Sequence, residues 1–249
     1  MDFQVRWLST LAQKDRAAAA LGAPRRENFN PFLPPETALV VADLSATHLV
    51  LLNKFPVIEG HVLIVTRTFV DQQAVLDGAD FAALADIMEQ LPGLGFYNGG
   101  RLAGASQAHK HLQFVPLCAP PLAAILPQDA PPLAALSLPQ LPFRHGWVRL
   151  PPALPAQLAG HLLTAAQLAL AHCDLEPHAG MLRPCNLLAT REWLMVVARR
   201  REYFEHAGTR VAVNALGFAG SLFARQRAEM DVVREVGPFA VLRAVAEPA

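Results

Sequence analysis

Gly104-Ala105-Ser106-Gln107-Ala108-His109-Lys110-His111-Leu112-Gln113 is the stretch on which the reading of this chain turns. It continues as Phe114-Val115-Pro116, so its second half reads as a short extended segment. Residues two apart on a strand share a face, which aligns His109, His111 and Gln113 and sends Lys110, Leu112 and Phe114 to the other side. Upstream, small and polar residues let backbone N–H groups approach an anion closely. Imidazole serves as a metal ligand, a general base or a covalent nucleophile, so His-X-His alone is weak evidence. Glutamine in register narrows the choice, being an uncommon metal ligand but a good hydrogen-bonding group for a phosphate oxygen. The chemistry that fits best is attack by one imidazole on phosphorus.

Outward from this stretch, apolar runs and turn residues sketch an α+β chain. Thr37 to Asp43 and Thr47 to Asn53 read as a hairpin about Leu44-Ser45-Ala46, and His61 to Thr66 as a third strand. Asp80 to Leu91 has a helical stripe of Phe81, Leu84, Ile87, Met88 and Leu91, ended by Pro92-Gly93. Leu94 to Asn98 is a strand, and Gly99-Gly100 turns the chain into the motif. Phe143 to Leu150 reads as a strand, Leu154 to His172 as a second long helix, and Asn186 to Thr190 with Glu192 to Ala198 as a hairpin. Asn214 to Gly220 is turn-rich and opens a helical C-terminal region. Phe3 to Leu21 also has helical spacing, stopped by Pro24-Arg25-Arg26, with Asn28 to Phe32 as a loop. Cys118 to Pro142 is rich in Pro, Ala and Leu, and reads as an ordered irregular crossover or a mobile cover. One unit is expected over 1–249: a lobe of 1–118 with the motif, the crossover 119–142, and a lobe of 143–249.

Bulk numbers exclude several classes of function. Lys plus Arg and Asp plus Glu both number 21, so no basic field argues for nucleic acid. Hydrophobic residues make up 53%, largely Ala and Leu, yet no run of about 18 uncharged apolar residues marks a membrane span. Cys118, Cys173 and Cys185 have no paired spacing and suit a reducing compartment. Met1 to Lys14 carries charges throughout and lacks a signal-peptide core, so a cytoplasmic protein is expected. His61 on an apolar strand and His145 read as structural, and His161, His172 and His178 draw no chemistry. Arg199-Arg200-Arg201 is a local positive cluster that could meet phosphates, although a solvated charge run is the commoner outcome.

The motif resembles the active-site segment of the ATP adenylyltransferases (diadenosine tetraphosphate phosphorylases), a branch of the histidine-triad superfamily in which glutamine replaces the third histidine. The hexose-1-phosphate uridylyltransferases share His-X-His-X-Gln, usually after Ser-Asn-Pro. The likeness extends to Leu52–Val57, Gly60–Thr66, Phe96–Asn98, Asn186–Thr190, Trp193-Leu194 and Asn214–Gly220. It implies a histidine-triad-like antiparallel sheet with flanking helices. It also implies reversible phosphorolysis of diadenosine tetraphosphate to ATP and ADP through an adenylyl-histidine on His111. Gln113 would hold the transferred group, and His109 would position the motif and assist the leaving group. Asn53, Lys54, Asn98, Gly104, Ala105, Ser106, Gln107, Asn214, Ala215, Leu216, Ser221 and Arg225 occupy positions matching nucleotide contacts, with His61 in support. Ala215, Leu216 and Ser221 depart from the family pattern, and Arg225 stands where Lys is usual, which bears on nucleotide selectivity. The expected partners are dinucleoside polyphosphate, ATP, ADP and phosphate, with neither nucleic acid nor membrane, for a monomer or homodimer. No tightly bound cofactor and no protein metal site are expected; Mg2+ is considered only as a companion of the polyphosphate. Transfer from adenylyl sulfate to phosphate, and a nucleotide sensor without catalysis, are the alternatives.

Overall fold

The computed structural model describes residues 1–7, 29–117, 119–152 and 154–249. Nine strands form one sheet in which every neighbouring pair is antiparallel. In chain order they are β2 (Val40–Asp43), β3 (His48–Leu52), β4 (Val62–Thr66), β5 (Leu94–Gly99), β6 (His111–Val115), β7 (Ala135–Leu136), β8 (His145–Arg149), β9 (Cys185–Ala189) and β10 (Trp193–Ala198). Their spatial order, β2-β3-β4-β6-β5-β9-β10-β8-β7, sets β6 between β4 and β5 and joins strands from both halves of the chain.

Side-chain alternation along these strands builds two different faces. Leu112 and Phe114 of β6, Ile64 of β4 and Leu187 and Ala189 of β9 point to one side. There they meet helices α1 (Gly78–Gln90) and α2 (Pro155–His172). Helix α1 begins two residues earlier than its apolar stripe suggests, because Asp77 caps it and Asp80 returns the bond in a reciprocal box. Helix α2 starts on Pro155 and buries Leu158, Leu162, Ala165, Ala166 and Ala169. It lies so close to β8 that a Cβ on Gly146 would stand 2.7 Å from the Ala169 carbonyl oxygen.

The other face carries a second core over β8, β9 and β10, built by helices α3 (Ala215–Phe218), α4 (Arg227–Val236) and α5 (Pro238–Val245). Phe32 with Leu49, Leu51, Leu63 and Val65 forms a small third core over β3 and β4. Leu122, Ala130, Leu138 and Leu141 bury the crossover in the second core, and β7 adds it to the sheet edge.

Three segments differ from the sequence reading. Most of the helix expected over Phe3 to Leu21 lies outside the described residues, but its start is strand β1 (Gln4–Trp7), paired parallel with β13 (Ser221–Ala224). Thr37–Leu39 is a 3-10 turn ahead of the exposed edge strand β2. Strands β11 (Tyr203–His206) and β12 (Thr209–Ala212) form a separate hairpin, its turn made by Ala207 and Gly208, both at positive φ.

Candidate active site

The site lies between the second and third cores, on the face without long helices. Strand β6 pairs with β4 up to Val65 and His111, whereas its ladder to β5 stops at Phe96 and Gln113. Gln72 fills the resulting opening. Its side-chain Nε2 donates to Asn98 O (2.9 Å) and His111 O (3.2 Å), and its Oε1 accepts from His111 N (2.8 Å). Its backbone N–H binds Ala108 O at 2.8 Å, and Tyr97 Oη donates to its carbonyl. Nothing in Asp71-Gln72-Gln73 marks this residue in the sequence.

His111 is 4% exposed, and its Nδ1 lies 2.8 Å from the His109 carbonyl oxygen. A carbonyl only accepts, so the proton sits on Nδ1 and the lone pair on Nε2. His109 is the opposite tautomer. Its Nε2–H donates to Thr66 O (2.9 Å), with Thr66 Oγ1 at 2.8 Å, while its Nδ1 accepts from Asn30 Nδ2 (2.9 Å). Burial holds its pKa below the usual imidazole range, although bonds to the Thr66 and Thr68 backbone oppose the shift. Both nitrogens are engaged in orientation, so this arrangement holds no spare His109 proton for a leaving group. Phe32 touches both imidazoles, with ring centroids 5.5 Å from His109 and 5.3 Å from His111.

Gln113 is oriented from below. His61 Nε2–H donates to its Oε1 (3.0 Å), and Asn53 Nδ2 donates to His61 Nδ1 (3.2 Å). The Gln113 oxygen is thereby occupied, and its amide N–H groups are left to serve the open face. Burial pushes His61 down to about 4; the Gln113 bond opposes this and the nearby His111 adds to it. Asn53 is committed to this support, its Oδ1 accepting from Phe55 N at 3.0 Å.

The loop from Gly99 closes on the C-terminal region. Gly104 takes φ +93°, and a Cβ there would meet Val213 O at 2.8 Å and Asn214 Cα at 3.1 Å. Glycine is required on both grounds. Ala105 N binds Gly100 O, whereas among the described residues the backbone N–H groups of Ser106 and Gln107 have no hydrogen-bond partner. Asn98 Oδ1 accepts from Ala215 N at 2.9 Å and from Asn186 Nδ2 at 2.8 Å. Asn214 caps α3 by accepting from Leu216 N.

Of the other expected contacts, Ala215 joins this cluster only through its backbone N–H on Asn98 Oδ1. The side chains of Ala215, Leu216 and Ser221 are buried in the protein. Lys54 is exposed and ion-paired with Glu36 at 2.7 Å. Arg225 follows β13, its N–H donating to Glu229 Oε2 and its C=O accepting from Trp7 Nε1. Arg199, read as part of a solvated run, is instead 2% exposed, while Arg200 and Arg201 stay at the surface. An apolar cavity of about 280 Å3 lies on the opposite face, between α2, Tyr97 and Cys185. Burial pushes the Cys185 thiol up to about 12, so it offers no nucleophile there.

Residues 1–131 match the family model of the Ap4A phosphorylase N-terminal domain, and residues 139–248 that of the ATP adenylyltransferase C-terminal domain. The chain is 28% identical over 242 residues to diadenosine 5',5'''-P1,P4-tetraphosphate phosphorylase 2 of Saccharomyces cerevisiae, spanning 83% of this chain and 72% of that one. Protein APA1 of the same yeast is 27% identical over 229 residues, spanning 80% and 70%. The crystal structure of yeast Ap4A phosphorylase Apa2 in complex with AMP superposes with a TM-score of 0.76 at 24% identity, covering 98% of this chain and 83% of that one, so the fold is shared. With family models matching its motif-bearing half and its C-terminal half in succession, the chain belongs to the Ap4A phosphorylase (ATP adenylyltransferase) family.

Proposed function

We propose that this protein catalyses reversible phosphorolysis of diadenosine tetraphosphate through an adenylyl-histidine on His111. His111 Nε2 attacks the α-phosphorus of one adenylyl group. The bond from that phosphorus to the bridging oxygen breaks, and ATP leaves with the bond pair. Inorganic phosphate then attacks the same phosphorus, the P–N bond returns its electrons to His111, and ADP departs. The His111 Nδ1–H bond to His109 O carries this reading, because it presents the reactive nitrogen and stabilises positive charge on the ring as the adduct forms. The Gln113 amide and the Ser106 and Gln107 backbone N–H groups are the donors suited to the phosphoryl oxygens. An amide at 113 has no basic nitrogen to deprotonate water, whereas phosphate brings its own anionic oxygen, so transfer is favoured over hydrolysis. His109 acts by orientation. Any Mg2+ is taken to travel with the polyphosphate, since among the described residues no group of three His, Cys, Asp or Glu is placed to hold an ion. Among those residues too, no helix is long and apolar enough to cross a membrane, and a cytoplasmic setting suits the substrate.

The test is turnover of diadenosine tetraphosphate with and without phosphate, in wild type and His111→Ala. ATP plus ADP should appear only with phosphate, and the variant should lose at least about a thousandfold in kcat, as expected when a covalent nucleophile is removed. Acid-labile adenylyl-protein should form in the wild type alone. AMP released without phosphate would make the protein a hydrolase; nucleotide binding without turnover or adduct would make it a sensor.

A further inference from the structure

Arg199 is a buried cation whose hydrogen-bond partners are all neutral oxygens among the described residues. Its guanidinium donates to Asn186 Oδ1 (2.5 Å), Ala103 O (3.2 Å), Val213 O (3.0 and 3.1 Å), Arg201 O (2.7 Å) and Val245 O (3.3 Å). These acceptors satisfy its N–H groups, yet among the described residues no carboxylate lies within ion-pair distance. An unpaired buried charge is expensive, and sequences rarely retain one without a use. Burial lowers the Arg199 pKa to about 9, with Glu202 and Cys185 opposing the shift, so the group stays protonated at neutral pH.

From this cation a chain of two amides leads to the open face. Arg199 occupies the Asn186 oxygen, so the Asn186 nitrogen must donate, and it does so to Asn98 Oδ1 and Ala103 O, both at 2.8 Å. Asn98 Oδ1 also receives Ala215 N, which fills both of its lone pairs. The Asn98 amide is thus locked in one orientation, with its nitrogen as the remaining polar atom. Asn98 lies two residues beyond the Phe96–Gln113 pair toward His111, and the Gln72 amide joins the carbonyls of Asn98 and His111. Consecutive hydrogen bonds polarise one another in the same sense, so a cation at the far end strengthens the last donor.

We infer that Arg199 is a positioning residue that acts through Asn186 to present the Asn98 N–H groups to a phosphoryl oxygen of the nucleotide held at His111. The inference rests on reading the open face as the nucleotide site. Its ligand class is a nucleoside phosphate rather than a nucleoside, because a donor backed by a cation favours an anionic acceptor.

Asn186→Asp and Asn98→Asp separate this role from a structural one. In Asn186→Asp the carboxylate gives Arg199 an ion-pair partner, but both its oxygens accept, so Asn98 must turn its N–H groups away from the site. In Asn98→Asp one oxygen keeps the bonds from Asn186 and Ala215, while the atom facing the ligand changes from donor to acceptor and the group gains a negative charge. AMP and adenosine affinities are measured by calorimetry, thermal midpoints by scanning, and diadenosine tetraphosphate turnover by ATP release. Both variants should remain folded, Asn186→Asp at a lowered melting point because Ala103 O loses its Asn186 donor and Ala215 N its acceptor. Both should lose at least about tenfold in AMP affinity, the scale of one charge-assisted hydrogen bond. Adenosine affinity should hold. AMP affinity within twofold of wild type in either folded variant would overturn the relay, as would equal loss of AMP and adenosine. A wild type that neither binds AMP nor turns over the substrate would instead overturn the nucleotide reading and this inference with it. Wild-type function matched by Asn186→Asp would sink the relay alone.

Discussion

The two faces of strand β6 treat charge in opposite ways. On the helix-covered side Lys110, between the two histidines, reaches Asp80 Oδ2 (2.5 Å) and Val75 O (2.9 Å), and Asp80 Oδ1 meets His48 Nε2 at 3.1 Å. All three side chains are buried, and cation meets anion. Burial alone would raise the Asp80 carboxyl, but the His48 bond and the Lys110 charge outweigh it and hold the pKa below its ordinary value. On the open side amide and backbone N–H donors stand beside the His111 lone pair, and the cation behind them, Arg199, has acceptors but, among the described residues, no carboxylate within ion-pair distance. One face is electrostatically complete by itself, and the other, on the inference drawn above, is completed by an anionic ligand. The motif lysine therefore works as a rivet: it ties the motif segment to the first turn of α1, while the adjacent His109 and His111 lie on the opposite face of the strand.

Breaking the closed face should have the largest effect on stability. Lys110→Met leaves Asp80 buried without its cation, and about 3–5 kcal/mol of unfolding free energy should be lost, the usual result of removing one partner from a buried pair. Asp80→Asn combined with Lys110→Met removes both charges and should recover much of that loss. Denaturant titration of the single and double variants checks both expectations. A double variant no more stable than Lys110→Met would show that packing of the lysine stem, not the charge pair, fixes the segment.

What the sequence displays and what it conceals follow the same division. Alternation of His111, Leu112, Gln113 and Phe114 was legible because period two is local, and Leu112 and Phe114 do lie beneath α1. The support given to Gln113 by His61 was legible only by family likeness, since 52 residues separate them. Lys110 could be assigned to a face but not to Asp80, a partner 30 residues away. Three consecutive arginines read as solvated, whereas Arg199 is buried because Ala198 pairs with Cys185 at the end of the β9–β10 ladder. The first residues differ from their local pattern for a related reason. Val5 and its neighbours carry helical spacing, but Gln4–Trp7 gains a strand partner, Ser221–Ala224, supplied by the other end of the chain. Gln72 could not be found at all, because a glutamine in a polar turn carries no signal for the gap it fills.

A smaller effect sharpens the comparison from the open side. His61 is neutral in the folded protein down to about pH 4, against an ordinary imidazole pKa of 6.5. Below the unfolded pKa the unfolded chain binds a proton that the folded one refuses. Stability is therefore full above pH 6.5, falls with falling pH, and levels off below about 4. The span amounts to roughly 3 kcal/mol at most. His61→Gln should flatten that part of the stability–pH curve, as read by denaturant midpoints at several pH values. An unchanged slope in the variant would assign it to another group.

Gln72 carries the smallest predicted effect on stability and the most specific one on rate. Gln72→Ala removes the acceptor of His111 N, a buried N–H whose loss of a partner costs about 1–3 kcal/mol. It should lower kcat about tenfold or more with little change in KM, because the side chain aligns the nucleophile from within the sheet. Gln72→Glu is the sharper probe. One carboxyl oxygen can still accept from His111 N, but the other stands where Nε2–H now donates to the carbonyls of Asn98 and His111. Only a protonated carboxyl can donate there, so burial and the two carbonyls should raise its pKa above the ordinary glutamate value. The ratio of variant to wild-type kcat should then be greatest at low pH and fall as the carboxyl ionises. A ratio that stays constant with pH would mean that the Gln72 amide merely fills space beside His111, since volume alone does not titrate.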